Sequence, residues 1–177
     1  MYNYPFIRLI RAYISSLFSE KVAVKDETSI SMKCSIGDID PYWEMNNGRY
    51  QQLADIGRFN HGFRTGFFKK ALKNKISFTV AGTVTKYRYR IPFGKKFTMT
   101  TKVIYVDEKW TYYYHEFIYN GRITSTILAR TGMVKNGKLV RSKEASKIFN
   151  LNIPKVELPL WVADWIKSDE SNPAFVK

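Results

Sequence analysis

The sequence predicts an α+β domain in which one antiparallel sheet wraps around a single long helix. Three observations predict it. A helical run of about twenty residues interrupts a stretch otherwise written in period two. Four strand-like segments follow that run, separated by turn signals of which Asn120-Gly121 is the strongest. The length, 177 residues, suits one domain with a full core better than two.

Taken in order, Phe6, Ile7, Ile10, Ile14, Leu17 and Phe18 recur at helical spacing between Tyr4 and Phe18, with Arg8, Arg11, Ser15 and Ser16 mostly elsewhere. Such a basic amphipathic helix either docks on the domain or makes peripheral contact with an anionic membrane through residues 4–18. Only two arginines decorate it, which favours docking. Ser19 to Thr28 reads as a polar connector, and Ser29 to Ile36 alternates like a half-buried strand. Gly37, Asp38, Asp40 and Pro41 form a dense set of turn residues before a helix expected from about Asn47 to Phe68. Gly57 is among the small residues on its apolar side, where something can pack closely.

Strands are expected at Ile76 to Ile91, ended by Pro92-Phe93-Gly94, and at Phe97 to Val106. Two more are expected at Trp110 to Tyr119 and Arg122 to Lys135, with Asn136-Gly137 closing the last. Short helices follow at Ser142 to Asn150 and Leu160 to Ser168, separated by Pro154 and Pro159. The chain thus divides into an N-terminal helix and connector (1–27), the main domain (28–140) and a helical tail (141–177). Sequential hairpins predict a meander. One helix covers one face of the sheet, which leaves the other face for a partner subunit.

Lys and Arg number 29 against 15 Asp and Glu, a net charge of +14 that favours polyanionic partners. No helix-turn-helix, zinc-ligand or RNA-recognition signature accompanies it, so a nucleic-acid partner is not expected. One Cys makes no intrachain disulfide and points to a reducing compartment. No apolar run approaches ~18–20 residues, and Arg8 and Arg11 interrupt the first apolar cluster too early for a signal-peptide core. The expected location is cytoplasmic, peripheral to a membrane if the first helix is a surface helix.

Only two histidines, His61 and His115, are available, which gives little support to a metal site or a Ser-His-Asp triad. Both are expected to be structural, and Cys34 is expected to be a small buried hydrophobe. The segment from Gly37 to Tyr50 is different. It places Asp38, Asp40 and Glu44 beside Tyr42 and Trp43, just before a helix. Asp and Asn suit helix caps, yet capping accounts for only one or two of these residues. A carboxylate against aromatic walls can act as base or nucleophile, and a helix N-terminus offers free N–H groups to a developing oxyanion. That combination suits acyl transfer to water.

Asp38-Ile39-Asp40-Pro41-Tyr42-Trp43-Glu44-Met45-Asn46-Asn47-Gly48-Arg49-Tyr50 resembles the D-x-D-x-x-x-H-M-N-N-x-R-Y motif of hotdog-fold thioesterases, in the 4-hydroxybenzoyl-CoA thioesterase branch. The likeness continues through Lys86-Tyr87-Arg88-Tyr89-Arg90, Asp107-Glu108-Lys109-Trp110-Thr111-Tyr112 and Asn136 to Val140, and covers about residues 28–140. It implies a hotdog fold and hydrolysis of an acyl-CoA or acyl-carrier thioester. Asp40 would attack the thioester carbonyl or activate a water, while N–H groups near Asn47 and Gly48 polarise the carbonyl. Asn46, Tyr50 and Trp43 would shape the pocket, and Lys86, Arg88, Arg90, Lys95 and Lys96 would meet the phosphates of coenzyme A. Strand alternation puts Lys86, Arg88 and Arg90 on one face. The resemblance further implies a site spanning a homodimer, or a dimer of dimers, and no cofactor or metal beyond the coenzyme A of the substrate.

One position departs from the motif: Glu44 stands where the family has His. A second carboxylate would raise the pKa of Asp40 by repulsion, unless Glu44 pairs with Arg49 or a lysine. The substitution also supports an alternative, a hotdog protein that binds an acyl thioester or a protein partner without turning it over. A basic adaptor at membranes or nucleic acid is a further alternative.

Overall fold

A computed structural model describes residues 4–150 and 156–172. It contains α1 (Phe6–Phe18), β1 (Thr28–Lys33), a 3-10 turn at Ile36–Asp38, α2 (Asn47–Arg64) and α3 (Phe67–Lys73). These are followed by β2 (Ser77–Tyr87), β3 (Lys96–Val106), β4 (Thr111–Tyr119), β5 (Arg122–Lys135), β6 (Lys138–Leu139), α4 (Ser142–Phe149) and α5 (Leu160–Glu170). The architecture is the expected α+β one, a curled antiparallel sheet around α2. Of the tail, 151–155 (with Pro154) and 173–177 lie outside the described residues.

The expected single helix to Phe68 is two. Gly66 sits at φ +71, a left-handed conformation that ends α2 and starts α3 at a new angle. The expected meander is also only partial. Strand order is β1-β3-β4-β5-β2, so β3, β4 and β5 are joined by successive turns while β2 lies beside β5 at the far edge. The link from β2 to β3 is too long for a tight hairpin and crosses the end of the sheet instead. On the way the Arg88 and Tyr89 N–H groups donate to the Thr124 carbonyl (2.9 and 3.0 Å), and the Ile91 carbonyl accepts from Met45 N–H (2.9 Å).

Period-two alternation sends Phe97, Met99, Thr101, His115, Phe117 and Ile127 to the inner face, where they meet Leu53, Ala54 and Ile56 of α2. Gly57 sets the distance between the layers. A Cβ there would lie 2.4 Å from Thr101 Oγ1 and 2.8 Å from Met99 Cε. Tyr112 and Leu128 point the other way and are buried under Val162, Trp165 and Ile166 of α5 and its approach. The outer face is therefore covered in part by the chain's own tail, not left whole for a partner as expected. Arg130 fastens that cover. Its guanidinium stacks on Trp110 and Trp165 (5.6 and 5.2 Å to the ring centres) and pairs with Asp169.

The first helix docks on α2, as the count of arginines suggested, but with the unexpected face. Ala12 and Ser16 are the buried positions, Asn60 Nδ2 donates to the Ala12 carbonyl (3.5 Å), and Tyr13 packs edge-on against Phe63. The large apolar side chains look outward, with Ile7 69% and Phe18 87% exposed. No helix among the described residues is long and apolar enough to cross a membrane.

Candidate active site

The loop between β1 and α2 is built around Asp38. Its buried carboxylate accepts from Ser35 N–H and Ser35 Oγ (both 2.8 Å), and pairs with Arg49 Nε (3.1 Å) and Arg8 Nη1 (3.1 Å). Every acceptor site of Asp38 is thus committed, which makes it a structural anchor. The Asn46 N–H donates to the Asp38 carbonyl (2.8 Å) and fixes the start of α2 on the same residue.

Asp40 lies one alternation further along, in a miniature hairpin closed by an Ile39–Met45 bridge. Its N–H donates to the Glu44 carbonyl (2.9 Å), and its own carbonyl accepts from Trp43 N–H (3.1 Å). Tyr42 N–H donates to Asp40 Oδ1 (2.9 Å), an Asx turn that orients the carboxylate. Oδ2 keeps no protein partner among the described residues. The half-buried Asp40 therefore presents one uncommitted oxygen.

Helix capping sharpens the expectation about the oxyanion donors. Asn46 is the N-cap, and its Oδ1 accepts from Gly48 N–H (2.9 Å). Arg49 N–H donates to the Asn46 carbonyl (2.9 Å). Gly48 N–H is therefore occupied, and Asn47 N–H is the first-turn donor left without an acceptor among the described residues. Tyr50 lies beneath the helix start, buried between Tyr87 (5.2 Å) and Phe117 (4.9 Å). Burial pushes its hydroxyl up to about 12, so it stays neutral where it packs beneath the start of α2.

Trp43 does not wall in the carboxylate. It adopts φ 60, a left-handed conformation uncommon for a bulky residue, and its ring leans edge-on against Phe93 (5.6 Å) with much of its surface exposed. Tyr42 is 82% exposed. Glu44 does not pair with Arg49, which Asp38 holds; its nearest cation is Arg90, with Nη1 3.9 Å from Oε2. Lys86, Arg88 and Arg90 are all exposed but do not share a strand face. The strand β2 stops at Tyr87, and Arg88 turns back over the Tyr89 ring. Of the three, Arg90 is the one brought to the Asp40 loop.

Sequence reasoning missed three side chains along the cleft between α2 and β2. The Tyr87 hydroxyl donates to the Asn47 carbonyl (3.0 Å), and Gln51 Nε2 donates to Thr85 Oγ1 (2.6 Å). Farther along, Asp55 opens on a cavity of about 240 Å³ lined by Arg58, Phe59, Phe67, Phe78 and Tyr113. Burial raises the Asp55 carboxyl, and the paired Arg58 opposes it. Helical spacing from Asn47 carried the signal for this row, since Asn47, Gln51 and Asp55 are successive i+4 positions on one face.

The remaining candidates are structural. Cys34 is fully buried at the end of β1, and burial with the nearby Asp38 pushes its thiol up to about 11. His115 accepts from Arg58 Nη1 at Nε2 (3.1 Å), which leaves Nδ1 protonated and donating to Thr101 Oγ1 (2.9 Å). Burial and the Arg58 charge hold its pKa well below the usual value. His61 is a packing residue, edge-on to Tyr113 (5.6 Å) and buried.

A sheet curled around one helix, with a carboxylate loop at the helix N-terminus, is the hotdog arrangement. The chain belongs to the thioesterase-like superfamily, whose family model matches residues 34–166. Among curated proteins it is similar to Protein THEM6 of Danio rerio, 33% identical over 100 residues that cover 55% of this chain and 50% of that protein. The chain thus spans about half the length of that relative. A probable thioesterase from Bartonella henselae has a similar fold (TM-score 0.61, 16% identity, covering 66% of this chain and 98% of that one). So does the protein SAV2348 of Staphylococcus aureus, solved in complex with CoA (TM-score 0.57, 18% identity, covering 80% and 94%).

Proposed function

We propose that the protein hydrolyses acyl-CoA thioesters, with Asp40 as nucleophile or general base and the Asn47 N–H as oxyanion donor. The observation that carries this reading is the pairing of two uncommitted groups in one loop. Asp40 keeps a free carboxylate oxygen, and the adjoining helix start keeps one unclaimed N–H. Family membership and the CoA-bound structural relative support the substrate class.

In the general-base route Asp40 takes a proton from water as its oxygen attacks the carbonyl carbon. The carbonyl oxygen gains charge against Asn47 N–H, where the partial positive charge of the helix end adds to the hydrogen bond. Collapse breaks the C–S bond, and the thiolate of coenzyme A leaves with the proton held on Asp40. In the nucleophilic route Asp40 forms an acyl anhydride that water then cleaves, with the same products. The acyl group lies along the α2–β2 cleft toward the Phe59 and Phe78 cavity.

Two copies complete the site. Among the described residues the edge strand β2 has one unpaired side, and it exposes Phe78, Val80, Val84 and Tyr87 along eleven residues. A long apolar edge of this kind favours pairing with its own copy, which supports a second subunit beside the cleft.

The test is thiol release across short, long and aromatic acyl-CoAs, with Asp40→Ala as control. Multiple turnovers that fall about 10²–10⁴-fold in the variant are expected; equal rates in both proteins would overturn the assignment. The Glu44–Arg90 pair favours one other reading, a binder without turnover. Acyl-CoA affinity that survives Asp40→Asn, with no turnover in the parent on any substrate, would establish that one instead.

A further inference from the structure

Among the described residues, the outward face of α1 is exposed from Ile7 to Phe18, and Phe6 at its start meets the Tyr4 ring edge-on (5.0 Å). At about 100° per residue, Phe6, Ile7, Ile10, Ile14, Leu17 and Phe18 fall within an arc of roughly 120°. The buried positions Ala12 and Ser16 lie on the opposite side. The six side chains are each about half exposed or more, a contiguous apolar surface of the kind that marks an interaction site. The helix carries no acidic residue, and Arg11 borders the apolar arc.

A groove runs along that same border, between α1 and β1, and four cations open onto it: Arg11, Lys33, Arg64 and Lys96. Asp38 is the one acidic residue among the described residues lining it, and Arg8 and Arg49 already neutralise it. Lys33 and Lys96 are directly opposite each other on the β1–β3 ladder and both exposed. Like charges in register destabilise a sheet unless an anion sits between them.

An apolar helix face flanked by an unneutralised basic groove fits one surface chemistry. We propose that α1 seats the protein on a phospholipid bilayer carrying anionic headgroups. Its apolar face enters the acyl-chain boundary, and the groove cations meet headgroup phosphates. A helix of thirteen residues lies in the plane of the interface and does not span it. A second copy of the chain would satisfy the apolar face but not the four cations. Lipid binding is separate from turnover, so Asp40→Ala binds vesicles as the parent does.

The experiment is flotation of the full chain with vesicles of phosphatidylcholine alone or with about 30 mol% phosphatidylserine, at about 0.15 M salt. Recovery with the anionic vesicles and much weaker recovery with the neutral ones is expected. Ile10→Asp with Ile14→Asp, both at exposed positions, should reduce anionic-vesicle affinity at least tenfold with circular dichroism unchanged. Lys33→Gln and Lys96→Gln should each weaken it about fivefold. Absence of flotation with either vesicle would overturn the proposal. So would a double-aspartate variant that binds normally, or one that instead converts an oligomer to a monomer in vesicle-free buffer.

Discussion

Single residues divide the Asp38–Asp40 pair into unlike roles. Asp38 is buried and fully paired, so Asp38→Asn should cost about 3 kcal/mol by leaving Arg49 without its counter-charge. Asp40→Ala removes no ion pair and should leave the melting temperature nearly unchanged while lowering the proposed thioester turnover about 10²–10⁴-fold. Thermal melts of the two variants side by side check this. The resemblance pointed to Asp40, but composition and spacing alone could not separate the two aspartates, because both are turn formers before a helix. Hydrogen-bond occupancy separates them, and that is a three-dimensional property. Gly57 was legible as a point of close approach, and its contacts carry a second prediction. Gly57→Ala gains helix propensity of about 1 kcal/mol, yet it forces Thr101 and Met99 aside at a cost of about 1–3 kcal/mol. The outcome expected in urea melts is a net loss.

Elements show where periodicity stops being informative. The pattern of α1 gave the width of its apolar face but not the direction that face looks, because Ala12 and Ser16 are small enough to dock without announcing themselves. The pattern of β2 gave a strand but not its neighbour, since pairing depends on the crossover from Arg88 to Lys95. At the break between α2 and α3, Gly66 holds φ +71, so Gly66→Ala should cost about 1 kcal/mol through backbone strain alone. The layer between α2 and β4 also sets a pH response. His115 and His61 both have folded pKa values below their unfolded ones, so the unfolded state takes up protons first as pH falls. Stability is complete above about pH 6.5 and declines below it, by up to about 1.4 kcal/mol per pH unit for each histidine. Denaturant midpoints between about pH 7 and 5.5 should show this slope, and His115→Gln should flatten it.

For the whole molecule, the curled sheet was legible from its hairpins and its one long helix, whereas the coverage of its outer face was not. Trp161, Trp165 and the Arg130–Asp169 pair make the tail part of the body. Arg130→Ala should loosen α5 first, and hydrogen exchange would show earlier labelling there than in α2. At the other edge, the proposed pairing of two β2 strands predicts that Val80→Lys with Val84→Lys gives a smaller species than the parent by light scattering, with a lower rate in the proposed hydrolysis. One feature joins the molecule's margins to its centre. The Asp38 carboxylate is gripped from outside by Arg8 of α1 and from inside by Arg49 of α2. That makes it a rivet through three parts, and the Asp40 loop hangs from it. A shift of the first helix is thus transmitted to the loop that carries Asp40, and the Asp38 carboxylate is the bridge between them.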